Sequence, residues 1–125
     1  MTSSVIISLL FIHWIADFVL QLPSWADTKW YNLNSLKKHC ATYGAILFGG
    51  LVCINSLDMT FSILCLCFIF AFTNTIFHYL FDYYSSKWLH ALFVEKRIHD
   101  FFVVMDLDQM SHICLLILSY NFFFN

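Results

Sequence analysis

Three pairs of His and Asp stand one helical turn apart in this sequence: His13 with Asp17, His78 with Asp82, and Asp108 with His112. Residues four apart share one face of a helix, so each pair can aim an imidazole and a carboxylate at the same point. Those groups bind zinc, manganese or iron in helical bundles, and they also pass protons within membranes. Gln21 and Asn74 extend the first two stripes by one turn, and Gln109 adjoins Asp108; these amides read as outer partners of the charged groups. His39 stands on a fourth apolar stretch, just after Lys37 and Lys38.

The elements that must carry these side chains are almost wholly apolar. Of the 125 residues, 61% are hydrophobic and 11% charged, where a soluble domain has about 25% charged residues. A single core in so small a chain cannot hide that much apolar surface, so the excess is expected to face the lipid bilayer. Four runs lie near the ~20 residues that a helix needs to cross the hydrocarbon: residues 3–21, 35–55, 59–84 and 101–122. The expected architecture is all-α: one polytopic domain over residues 1–125 with four transmembrane helices, and residues 85–100 forming an amphipathic interfacial segment before the last. No basic stretch or small-residue cleavage site marks the first run as a signal peptide, so it reads as a retained span. Ala41, Ala45 and Gly49 form a small-residue stripe, expected to let the second helix pack closely.

All six Lys and Arg residues fall between or at the facing edges of the first and second runs or between the third and fourth. The positive-inside rule then makes both of those links cytoplasmic and sends both termini to the other side. In that orientation Asp17, Gln21 and Asp82 end their helices, His39 opens its own, and Asp108 lies in the first half of the last, all in the cytoplasmic half. A charge facing lipid costs about 3 kcal/mol or more, so these faces should turn inward and meet.

The leading reading is a divalent metal site of His13, Asp17, His78, Asp82, Asp108 and His112, with His39 and Asp108 as the catalytic pair that completes the shell and moves protons. Such an ion brings the pKa of bound water to about 7 and polarises an ester or phosphoryl oxygen, which is hydrolase chemistry. Two alternatives stay open: a non-enzymatic path for protons or metal ions, and a structural polar core. The apolar run from His112 to Ser119 counts against a simple pore. His90 and His99 read as headgroup-facing, and Asp106 points away from the site. The five cysteines form no CxxC pair and read as small apolar fillers. The basic residues can hold anionic lipid headgroups; none form a patch dense enough for nucleic acid. Assembly into a homo-oligomer is left open.

The pattern His13-x3-Asp17-Phe18-x2-Gln21, His39, His78-x3-Asp82 and Asp108-Gln109-x2-His112 resembles an uncharacterised family of small bacterial and phage inner-membrane proteins. The resemblance covers nearly the whole chain and implies the site and a bacterial or phage origin, hence a multi-pass protein of the bacterial inner membrane, whose termini the positive-inside rule sends to the periplasm; it implies no reaction. In that family a Lys follows the third-helix Asp by about one turn, whereas here Lys87 comes five residues after Asp82. The centre is more distantly similar to those of membrane-bound metal-dependent hydrolases. The second function class is a translocating protein, or one with which a phage alters its host membrane.

Overall fold

The computed structural model describes residues 2–124, and all regular structure among them is helical. Helix α1 (Ser3–Trp14) runs on into a π-helical turn, Ile15–Val19, where Leu20 N–H donates to the Ile15 carbonyl at 3.0 Å. Pro23 then starts a one-turn helix, α2 (Pro23–Ala26), with its ring at the first position, where no amide hydrogen is needed. Helix α3 (Leu33–Ile54) is capped by the Asn32 side chain, which accepts from the Asn34 and Ser35 amides. Helix α4 (Phe61–Val94) is capped by Thr60, and α5 (Ile98–Phe124) follows after the turn at Glu95–Arg97. Lys96 in that turn takes a positive φ of 59°.

The expected boundaries change most at α4. Residues 85–94 do not lie apart as an interfacial segment; they continue α4 for a total of 34 residues, about 51 Å at 1.5 Å per residue. Of the charges that suggested a surface segment, only Lys87 lies on α4; Glu95, Lys96 and Arg97 form the turn, and Asp100 is in the first turn of α5. Of the four expected spans, only α4 and α5 are long and apolar enough to cross a membrane. The α1 stretch, Ser3–Val19, is too short by itself, and α3 is diluted by Asn34, Ser35, Lys37, Lys38, His39 and three glycines. In the most apolar windows of α4 and α5 only 28% and 17% of the residues are buried, unlike the core helix of a soluble protein. Large apolar side chains stand exposed along all four long elements, among them Phe11, Leu33, Phe72 and Leu118.

Helix α4 packs against α3 and α5, and α1 closes the bundle against the same two, with α2 lying on α3. One half of the interior is apolar: Leu9, Leu47, Leu51, Cys67, Phe70, Leu116 and Tyr120 form its core. The small-residue stripe behaves otherwise than expected. Ala41, Ala45 and Gly49 face outward, and the close approaches fall one position along, where a Cβ on Gly44 would collide with Thr75 and one on Gly50 with Ile12. Cys40 and Cys67 are buried fillers, whereas Cys53, Cys65 and Cys114 are exposed; all are free thiols.

Candidate metal centre

The other half of the interior is polar, and each long element contributes to it. Helical spacing turns His39, Tyr43 and Leu47 inward along α3, and Asn74, His78 and Asp82 inward along α4. The π turn does the same for Ala16 and Asp17, both buried. His13 joins from α1 and His112 from α5, at 3% and 2% exposure.

Three donor atoms from three elements meet most closely. Asp17 Oδ1 lies 3.1 Å from His39 Nε2 and 3.3 Å from His78 Nε2, and the two nitrogens are 3.0 Å apart. Ligands at about 2.0–2.1 Å from a first-row ion are separated by about 2.9 Å at right angles and about 3.3 Å at the tetrahedral angle. The triangle therefore has the edge lengths of one face of a coordination sphere. A second set, His78, Asp82 and His112, also groups its donors, but more loosely: Asp82 is 3.8 Å from His78 Nε2 and 3.9 Å from His112 Nε2.

Asp82 has closer partners: His39 Nε2 stands 3.3 Å from its Oδ2, and a cation stands closer still. Lys29, from the connector after α2, donates to Asp82 Oδ2 at 2.7 Å and to Gln21 Oε1 at 3.2 Å. Burial opposes the charge on Lys29, and the Asp82 carboxylate outweighs it, leaving the ammonium pKa above its usual value. The cluster thus holds three carboxylates, of Asp17, Asp82 and Asp108, against one ammonium. A divalent ion, or two protonated imidazoles, brings that balance to neutrality.

The remaining residues fall around this core. Gln109 donates its amide to Asp17 Oδ2 at 2.9 Å, so its Oε1, 3.2 Å from His13 Nε2, can only accept. That fixes the proton on His13 Nε2 and makes Nδ1 the acceptor from the Tyr43 hydroxyl at 3.3 Å. Both His13 nitrogens are occupied, which places it beside the triangle rather than within it. The Tyr43 ring stacks on His78, with centroids 4.0 Å apart and planes 2° from parallel. Asp108 stands at the margin, 3.7 Å from His112 Nδ1, with Oδ1 buried and unbonded. Asn74 turns away from the cluster and bonds Ser119 Oγ at 2.9 Å. Neither ring nitrogen of His112 has a hydrogen bond among the described residues, nor has Nδ1 of His39 or His78.

The chain matches, over residues 5–125, a family described as "Protein of unknown function (DUF3307)". It belongs to that family. No curated protein and no solved structure matches it. In this DUF3307 chain, the residues expected from spacing and depth, His13, Asp17, Gln21, His39, His78, Asp82, Asp108, Gln109 and His112, gather at or around the cluster, and Asn74, expected with them, does not. Spacing did not name Lys29 or Tyr43. Tyr43 was within reach of the one-turn rule, four residues after His39; Lys29 lies in a connector with no period to read. Lys87, the family's expected cation, sits instead over the Tyr83 ring at 3.6 Å. His99 and Asp106 are exposed, and His90 stacks on Trp30 with centroids 3.6 Å apart.

Proposed function

We propose that this chain is a membrane-embedded, metal-dependent hydrolase acting on a phosphoester or lipid headgroup at the cytoplasmic face of the bacterial inner membrane. The observation that carries the reading is the Asp17–His39–His78 triangle, with its 3.0–3.3 Å edges, inside a cluster with two negative charges to spare. Zinc, manganese and iron all suit such imidazole and carboxylate donors. A bound ion supplies an activated water and polarises the scissile oxygen.

Four spans accommodate the bundle, α1 and α3 crossing beside the longer α4 and α5, with both basic links at the end that holds the cluster. The exposed apolar side chains support a lipid-facing surface. A cleft of ≈ 400 Å³ opens at the same end, lined by Lys29, Trp30, Ser86, His90 and Phe101 among others. An ammonium has three donors; Asp82 and Gln21 take two from Lys29, leaving one for an anionic group in the cleft. A translocation path is disfavoured because Leu9, Leu47, Phe70 and Leu116 seal the interior beyond the cluster.

The test is metal content of detergent-purified protein, together with phosphate release from para-nitrophenyl phosphate and from phosphatidic acid vesicles. Metal-dependent release that is lost in His39→Ala supports the reading. Bound metal with neither substrate cleaved, but with metal-dependent ion flux in liposomes, would transfer the site to a translocating protein. No bound metal would leave a structural core.

A further inference from the structure

The two donor sets share His78 and invite the assumption of a two-ion centre. We infer instead that the centre takes one ion, in the Asp17–His39–His78 triangle, and that the Lys29 ammonium fills the second cation position at Asp82. This inference rests on the metal reading above and specifies its stoichiometry and ligands.

Three observations carry it. The triangle has coordination-sphere edges, whereas the second set is splayed to 3.8 and 3.9 Å, longer than the ~3.3 Å that tetrahedral ligands show; the one short contact of Asp82 to an imidazole, 3.3 Å to His39 Nε2, is made to a ligand of the triangle and through the oxygen that Lys29 holds. The carboxylate of that second set already carries a cation, with Lys29 Nζ at 2.7 Å and its side chain 19% exposed. Charge decides the count: one divalent ion and Lys29 match three carboxylates, while a second divalent ion leaves two uncompensated positive charges in a medium that penalises them. A tethered ammonium needs no recruitment from solution and cannot be chelated away.

The same geometry reassigns two histidines. His39, at 0% exposure and 3.0 Å from His78, is a ligand. His112 is then unligated. Both its nitrogens are buried and unbonded, and its ring centroid is 4.3 Å from that of His78.

The experiment is ion stoichiometry by elemental analysis of protein purified in detergent and equilibrated with zinc or manganese. The expected values are one ion per chain in the wild type and in His112→Ala, none in His39→Ala, and two in Lys29→Glu, where a fourth carboxylate replaces the ammonium. Two ions in the wild type, falling to one in His112→Ala, would overturn the inference while keeping the metal site. One ion in both wild type and Lys29→Glu would overturn the role of Lys29. If Lys29→Glu does not fold, the wild-type and His112→Ala counts still decide the stoichiometry. Zero ions in the wild type would remove the metal reading itself, a result distinct from the others.

Discussion

Replacing Asp17 by Asn separates a metal centre from a polar core, because the two give opposite patterns of stability. Asp17 supplies the only charge in the triangle, and its second oxygen accepts from Gln109. An ion present at 100 times its Kd stabilises the wild type by about 2.7 kcal/mol, a rise in Tm on the order of 10 °C for a domain of this size. Losing an outer partner of a metal ligand weakens binding by about 10–100-fold; losing an anionic ligand should do at least as much. With a loss of about 100-fold, the Asp17→Asn variant at the same ion concentration is half saturated, and about 0.4 kcal/mol of the stabilisation remains. In chelator the sign changes. The metal-free wild type carries uncompensated carboxylates, one of which the substitution removes; the Asn carbonyl can still accept from Gln109, and its NH2 group takes the place of the oxygen that stood 3.1 Å from His39 Nε2 and 3.3 Å from His78 Nε2. The variant should therefore melt about 10 °C below the wild type with zinc or manganese and close to it in chelator. Thermal unfolding in detergent, followed by circular dichroism, reads all four values. A wild type whose Tm is the same in chelator and in excess metal, or a variant equally destabilised in both, would refute the reasoning.

Four further outcomes follow from packing, hydrogen bonding and exposure. Gly44→Ala drives a methyl into Thr75, whose Oγ1 is tied to the Ala71 carbonyl at 2.7 Å, and should cost about 1–3 kcal/mol by overpacking. Gly49→Ala meets nothing within 4 Å and should be stabilising by up to about 1 kcal/mol through helix propensity, so unfolding in denaturant should separate the two. Tyr43→Phe strands the His13 Nδ1 acceptor and should destabilise by about 1–3 kcal/mol, with bound metal retained because Tyr43 is no ligand. The pair His99→Ala and Asp106→Asn, both exposed, should leave stability within about 0.5 kcal/mol and metal content unchanged.

Much of the centre is legible in the sequence because its members obey one period. His13 and Asp17, His78 and Asp82, and Asp108 and His112 are each four apart, and the cost of a charge in lipid says which way they must face. The period does not say which partner each side chain finds. Asn74 lies on the correct stripe yet pairs with Ser119, and His13 lies on it yet spends both nitrogens on Gln109 and Tyr43. Lys29 reads only as a topological charge, since a connector's fold depends on what it packs against, here Asp82 and Gln21. The mixture of charged and apolar residues over 85–100 suggests a change of element, but amphipathic composition is shared by a helix lying on a surface and by the end of a longer helix with the turn that follows it. The small-residue stripe fails for a related reason: a spacing of four defines a face but not its direction, and the face of Ala41 and Ala45 looks outward.

The π turn at Ile15–Val19 makes the centre sensitive to chain length in a way that no side-chain exchange is. A π turn takes up one residue more than an α turn between the same bonded ends, so deleting a single residue there would let the segment relax to an ordinary α-helix. Leu9 would keep its packing and the residues beyond the turn would keep their register, so the change would fall on the side chains within the turn itself. Asp17 would leave the triangle although every ligand type was still encoded. One residue of length separates a centre that can bind an ion from a sequence that merely contains its ligands.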